Sequence, residues 1–449
     1  MNDTICAIST PLAPGAISII RVSGNEAISI SSKIFRGKDL TKVDDHTINY
    51  GHIYDNDNLI DEVMVSVMHA PNTYTKEDVV EINAHGSVAS AKRILELLLN
   101  RGCRLANPGE FTERAFINGR IDLIEAESVM DIIESKSEKS LSMSVNQLNG
   151  NTSNKIKEIR KKISDIETNI EVNIDFPEYD DITVLSNEKI LPKLIEIKKE
   201  LEILLDNSRD SKIIKEGIDT VIIGKPNVGK SSILNKLLEE DKAIVTDIPG
   251  TTRDIVEGIV DINGIRLNLI DTAGIRETTD IVESIGVKKS LELIEKASLI
   301  IFVLNNNTEI DESEYNILNK LKDKNYIIII NKIDLDKKID DSKLENVIYM
   351  STVNNVGIEE LKKKIIKMYE LDKIDLRDFS YVSTARSISL VEKSIYSIKK
   401  SIEAINEGLP IDIVEIEINS ASEYLGDILG INYKEDLFDQ LFSNFCLGK

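Results

Sequence analysis

The run Gly224-Lys225-Pro226-Asn227-Val228-Gly229-Lys230-Ser231 carries the most specific chemistry in this sequence. Its glycines let backbone N–H groups turn toward phosphate oxygens, and a helix opening at its end adds a favourable dipole. Val221-Ile222-Ile223 before it reads as a strand and Ser232–Leu238 after it as a helix, which is the context a phosphate loop requires. Lys230 is spaced to reach β- and γ-phosphates and Ser231 to ligate Mg²⁺. Downstream, Asp271-Thr272-Ala273-Gly274 ends another apolar run. Its aspartate can hold the Mg²⁺ shell, and its glycine backbone can sense the γ-phosphate. Asn331-Lys332-Ile333-Asp334 follows the apolar Ile327–Ile330. A carboxylate at Asp334 can accept hydrogen bonds from guanine N1–H and the 2-amino group. Adenine offers neither donor there, so the motif selects GTP over ATP. Ser351-Thr352 sits where a loop contacting guanine O6 would lie, although the usual pair is Ser-Ala.

Between the first two motifs lies Thr246-Asp247-Ile248-Pro249-Gly250-Thr251-Thr252-Arg253-Asp254. A threonine in such a switch loop can complete the Mg²⁺ shell only when the γ-phosphate is present. Together these segments give a nucleotide site drawn from Asn227 to Ser232, Thr246 to Thr252, Asp271 to Gly274, and Asn331, Lys332 and Asp334. Many GTPases place a water-orienting glutamine directly after the second motif. Here that residue is Ile275, which cannot orient water, so another group must be recruited. Arg276, Glu277, Asp280 and Glu283 are the nearby polar candidates.

These motifs need a scaffold. From Thr220 onward, strand-like runs at Thr220–Gly224, Arg266–Asp271, Ser298–Asn305, Tyr326–Asn331 and Val347–Ser351 alternate with helical patterns. That alternation predicts a parallel sheet covered on both faces. Residues 1–119 instead show short strand-like runs at Thr4–Ser9, Ala16–Val22, Thr47–Tyr54, Glu62–His69 and Val79–Asn83, with one helix over Ser87–Leu99. Residues 151–216 contain no glycine, and Ile156, Ile159, Ile163, Ile166 and Ile170 recur at spacings of three and four. They form one apolar seam on a helix, and Leu194, Ile197, Leu201 and Leu204 repeat the pattern over Pro192–Leu205. The acidic cluster Glu178, Asp180 and Asp181 reads as a solvated loop. Helical texture returns over Ser387–Glu407 and Asp412–Leu429. The expected organisation is an α/β domain inserted into a helical domain that is split in sequence.

Composition bounds the alternatives. Lys and Arg number 55 against 77 Asp and Glu, a net charge of −22, which argues against gripping nucleic acid through a global positive field. With no tryptophan and 5% aromatics, the core must be built from Ile, Leu and Val. Cys6, Cys103 and Cys446 form neither a disulfide framework nor a zinc pattern, and the four histidines lack metal-ligand spacing. No signal-like N-terminus and no membrane-length apolar run is found, so a cytosolic protein is expected. The end, Phe445-Cys446-Leu447-Gly448-Lys449, follows Leu437, Phe438, Leu441 and Phe442. Such an end could be a docked functional tail, but on physical grounds alone the favoured expectation is a frayed chain end with Cys446 a buried or unreactive thiol.

The whole chain resembles the tRNA uridine-5-carboxymethylaminomethyl modification GTPases, the MnmE (TrmE) family. The resemblance rests on the nucleotide motifs, Gly250-Thr251-Thr252-Arg253-Asp254, Arg21-Val22-Ser23-Gly24, the Glu110–Phe116 run with Asn118-Gly119, and the Cys-x-Gly-Lys end. It implies a multidomain fold: an α+β folate-binding N-terminal domain at 1–119, a split all-α helical domain at 120–214 and 373–449, and an inserted α/β Ras-like P-loop G domain at 215–372. It implies a homodimer formed through the N-terminal domains. It also implies a partnership with the flavoprotein MnmG in a heterotetramer acting on the wobble uridine of certain tRNAs. A 5-formyl- or methylene-tetrahydrofolate would supply the one-carbon unit. Arg21, Glu81, Arg120 and Lys449 match the folate contacts, and cations there suit a carboxylate-bearing ligand. At 120 many relatives carry Lys, so charge is kept and geometry is not. His85-Gly86-Ser87 departs from a His-Gly-Gly pattern.

The resemblance also supplies a catalyst. Asn227, Thr246, Ile248 and Thr251 match a K⁺ site beside the phosphates, Thr252 takes the Mg²⁺ role with Ser231, and Glu283 matches the water-orienting acid. A cation between phosphates stabilises developing charge much as an arginine finger does. Two rivals share the G domain. An Era-type ribosome-assembly GTPase, a binding switch, would carry a basic RNA-binding module with a GxxG loop, which residues 373–449 lack. A dynamin-like membrane GTPase would need an apolar or polybasic tip.

Overall fold

The computed structural model describes residues 3–175, 187–240, 256–262, 264–270, 294–295, 297–369 and 379–431, and the single positions 442, 445 and 448. The chain divides into two compact units. One comprises Met1–Met130, Gln147–Glu200 and Ser389–Lys449, and the other Asp131–Asn146 and Leu201–Ile388.

The first unit is built on a seven-stranded sheet. In chain order its strands are β1 (Ile5–Ile8), β2 (Ile17–Ser23), β3 (Phe35–Gly37), β4 (Thr47–Asp55), β5 (Asn58–Met68), β6 (Val79–His85) and β7 (Arg104–Leu105). Their spatial order is β3-β4-β5-β6-β2-β1-β7. All neighbours are antiparallel except β1 and β7. On β5, Val63, Val65 and Val67 are buried while Met64 is exposed, the alternation expected of a sheet with one covered face. The helix Val88–Asn100 supplies cover through Ala91, Ile94, Leu97 and Leu98, and Ser87 caps it. The isoleucine seam lies inside one helix, Asn151–Asp175, and its five members are buried. That helix packs on Ile411–Leu429, which buries Val414, Ile418, Ala421 and Leu425.

The second unit holds a six-stranded sheet of β8 (Ile218–Ile223), β9 (Val256–Ile262), β10 (Ile265–Ile270), β11 (Leu299–Asn305), β12 (Tyr326–Asn331) and β13 (Val347–Met350). Their order is β13-β12-β11-β8-β10-β9. The strands β8, β10, β11, β12 and β13 are parallel. Burial on both faces explains the unbroken apolar runs of β11 and β12. Two corrections to the sequence reading follow. The sheet is mixed, because β9 adds an antiparallel edge to β10. The helix expected over Pro192–Leu205 runs over Asn187–Glu216, so Pro192 lies within it rather than at its start. The acidic cluster Glu178, Asp180 and Asp181 lies outside the described residues. Among the described residues no helix is long and apolar enough to cross a membrane.

Candidate functional site

In the second unit, β8 runs directly into the 224–231 loop, and the helix Lys230–Glu240 begins at its last residues. Lys230 donates from Nζ to the carbonyls of Gly224 and Lys225, each at 2.7 Å. Burial pushes its ammonium below the usual lysine range. A partly desolvated cation held, among the described residues, by carbonyl dipoles is suited to an incoming phosphate. Ser231 and Ser232 occupy the first turn of the same helix. Asn227 adopts a left-handed backbone, with φ of 61°.

Three motif loops meet through two hydrogen bonds. Asn331 at the end of β12 donates from Nδ2 to the Val228 carbonyl at 2.8 Å. A Cβ on Gly229, whose φ is 104°, would come within 2.1 Å of that same Nδ2. Glycine is therefore required where the two loops touch. Asn331 Oδ1 is buried with no partner among the described residues. Lys332, next in the chain, has φ of 65°. Asp334 accepts from Ser351 Oγ at 2.6 Å, so its carboxylate is oriented by the residue after β13. The loop lysine Lys225 is held by Asp311 and by Glu314 at 3.4 Å, and those two acids also form the capping box of the helix Glu312–Leu321. Nothing in the motif spacing pointed to that pair, because the acids lie more than eighty positions on in sequence. Thr246, Asp247, Ile248, Pro249, Gly250, Thr251, Thr252, Asp271, Thr272, Ala273, Gly274 and Glu283 lie outside the described residues.

A second convergence lies in the first unit. Arg21 and Glu81 are register partners on β2 and β6 and form an ion pair at 2.9 Å. The Arg21 guanidinium also lies 5.8 Å from the Tyr74 ring centre and 5.6 Å from that of Phe111. Arg120 lies over Tyr74 at 4.7 Å. Tyr74 thus joins two cations that sequence alone left far apart.

The chain end corrects the frayed reading at its described positions. Phe442 and Phe445 are buried in a cluster with Ala115, Ile121, Leu123 and Ala126. The Gly448 carbonyl accepts from Ser9 Oγ and from Arg21, each at 3.2 Å. Gly448 has φ of 90°, and a Cβ there would fall 2.7 Å from the Ile8 carbonyl oxygen, so the tail approaches β1 closely. Lys449 and Cys446 lie outside the described residues.

Beneath this cluster sits a buried ion network that the sequence did not signal. Arg114 is nearly fully buried and bonds Glu110 at 3.0 Å, Glu77 at 3.1 Å and Asp3 at 2.9 Å. Arg104 bonds Glu110 and, at 2.6 Å, Asp3. The network ties the helix Glu110–Ile117 to the start of the chain and to the loop that carries Tyr74.

Residues 123–446 match the MnmE helical domain, and residues 4–120 match the GTP-binding protein TrmE N-terminus. A protein named tRNA modification GTPase MnmE from Enterococcus faecalis is 48% identical over all of this chain and 98% of its own length. One of the same name from Bacillus licheniformis is 47% identical over the full length of both. Among solved structures, the G domain of the T. maritima FeoB iron transporter is 29% identical, covering 34% of this chain and 98% of its own, with a TM-score of 0.25.

Proposed function

We infer the function from one premise: the chain belongs to the MnmE family of tRNA modification GTPases. It is a GTP hydrolase that acts in tRNA modification. Relatives matched over their full length leave the ribosome-assembly alternative without support. The hydrogen bonds that join Val228 to Asn331 and Asp334 to Ser351 carry the guanine-nucleotide assignment, because they assemble phosphate loop and base-recognition loops into one site.

Lys230 holds the β- and γ-phosphates, Ser231 and Thr252 hold Mg²⁺, and Asp334 selects guanine. Asn227 with Thr246, Ile248 and Thr251 would hold K⁺, whose charge would stabilise the charge developing on the phosphates, and Glu283 orients water, the role Ile275 cannot take. The left-handed Asn227, exposed on the loop, is compatible with an ion ligand there. The first unit takes a tetrahydrofolate one-carbon carrier through Arg21, Glu81, Arg120 and Lys449. Its fit is supported by the meeting of Arg21, Tyr74 and Arg120. Residues 1–119 serve folate binding and pairing of two chains, 215–372 serve GTP hydrolysis, and 120–214 with 373–449 form the helical part. The chain works in the cytoplasm as a homodimer with the flavoprotein MnmG on the wobble uridine of certain tRNAs.

Steady-state GTP hydrolysis at matched ionic strength in KCl and NaCl, over a range of protein concentrations, tests the mechanism. Faster turnover in K⁺ that rises with concentration is expected. Indifference to the cation would overturn the K⁺ assignment while leaving the GTP site intact.

A further inference from the structure

Beside Arg120 the first unit has an open pocket of about 450 Å³, formed by the 71–74 turn, Met68, His46, Lys76 and Arg120. None of its lining residues is acidic, although the chain as a whole carries a net charge of −22. The cations are fixed from below. Lys76 adopts a left-handed backbone with φ of 58° and donates from Nζ to the Gly119 carbonyl at 3.0 Å. Asn118 donates to the Thr75 carbonyl at 2.6 Å. These two bonds lock the 74–77 loop onto the turn that carries Arg120. His46 stands at the rim, paired with Asp45 at 2.9 Å. One wall is Tyr74, whose ring also meets Arg21. Tyr74 is thus shared between the pocket and the cluster of Arg21, Glu81 and the Gly448 carbonyl.

We propose that this pocket receives the γ-linked glutamate chain of a polyglutamylated tetrahydrofolate, with Arg120 and Lys76 meeting successive carboxylates. The inference rests on the folate reading of Arg21, Glu81 and Arg120. The first glutamate carboxylate engages Arg120, and further glutamyl units have a cation-lined concavity in which to continue. A flexible polycarboxylate suits it better than a duplex phosphate backbone does, because the cations line a concavity beside the Arg21 cluster and do not form a stripe across an open face. Each exposed ion pair strengthens binding by a factor of about two to five, so a tail whose further carboxylates reach Lys76 gains about that factor over one that stops at Arg120.

Calorimetric titration of the full-length protein with mono- and pentaglutamyl 5-formyltetrahydrofolate tests this. Pentaglutamate is expected to bind about two- to fivefold more tightly, with an advantage that shrinks as salt rises. Lys76→Gln should remove about two- to fivefold of the pentaglutamate affinity and leave monoglutamate within twofold. Lys76→Glu should abolish the preference. Lys76 is exposed and outside the GTP site, and unchanged GTP turnover in both variants checks that they fold. Equal binding of the two folates by the unaltered protein overturns the inference and leaves the folate reading standing. So does an equal loss for both folates in Lys76→Gln. Failure to bind either folate removes the folate reading itself. If Lys76→Glu weakens binding of tRNA and leaves both folates unchanged, the pocket serves phosphates and the inference is wrong.

Discussion

In the six-stranded sheet, β8, β12 and β13 run parallel, so the loops that follow them emerge along one edge and meet. Lys230, Asn331 and Ser351 are brought to one edge by strand direction. In the seven-stranded sheet no single loop carries the cluster. Arg21 faces Glu81 because β2 and β6 are in antiparallel register. Tyr74 comes from a turn, Arg120 from beyond a helix, and Gly448 from the far end of the chain. The first arrangement needs an apolar sheet and two hydrogen bonds between loops. The second needs something to hold five segments at once, and the buried network around Arg114 is placed to do so. Strand direction organises the nucleotide site, whereas ion pairing organises the cluster in the first unit.

The sharpest way to break that contrast is Arg114→Leu. The substitution leaves Glu110 buried and strips Glu77 and Asp3 of a shared cation. Removing one partner of a buried ion pair costs about 3–5 kcal/mol. Urea unfolding followed by hydrogen exchange should show that loss in the seven-stranded sheet, with GTP affinity of the second unit held within twofold. A loss below about 1 kcal/mol, the range of a surface pair, would mean the network does not hold the segments.

The same contrast explains what the sequence made legible. The phosphate loop, Asn331-Lys332-Ile333-Asp334 and Ser351 could be read because each is a contiguous run whose flanking strand is uniformly apolar. The isoleucine seam of Asn151–Asp175 could be read because helical periodicity is local. The edge strand β9 was missed because Val256–Ile262 mixes apolar and polar residues and its antiparallel pairing with β10 is set by a turn at Gly264. The Arg114 network was missed because its acids lie at positions 3, 77 and 110, and no periodicity links them. Docking of the chain end depends on Phe442 and Phe445 finding Ala115 and Ile121 more than three hundred residues away. Family likeness, and not spacing, pointed to Arg21, Glu81 and Arg120.

A smaller effect sharpens the nucleotide half. Ser351→Ala removes the hydroxyl that donates to Asp334 at 2.6 Å. A hydrogen bond to a charged group in a partly exposed site contributes about 1 kcal/mol, or roughly fivefold in affinity. Guanine-nucleotide affinity should weaken by that factor, with Arg21–Glu81 and the first unit unaffected. Ser351→Thr keeps the donor and should recover most of the loss. An affinity unchanged within twofold in Ser351→Ala would show that Asp334 is positioned without Ser351.

The smallest expected difference is in acid. Burial pushes the Glu110 carboxyl up, but hydrogen bonds from Arg104, the Asn107 amide and Arg114 outweigh it and hold the group below the usual range. The hydrogen bond from Arg104 likewise lowers Asp3, against a smaller opposing cost of burial. Groups with depressed folded values bind fewer protons folded than unfolded. Their stabilisation is therefore complete above the ordinary carboxylate values of about 4 and is lost as pH falls through the folded values. In the second unit, Lys225 lowers Asp311 to about 2, yet that pair is largely exposed and screened, so it adds little. Lowering the pH from 7 toward 3 should thus destabilise the seven-stranded sheet more than the six-stranded one, read by hydrogen exchange corrected for intrinsic rates. In Arg114→Leu, Glu110 and Asp3 have already lost a cation, so the acid response of the first unit should flatten toward that of the second. If the two sheets of the unaltered protein lose protection in parallel, charge pairing is not what distinguishes them.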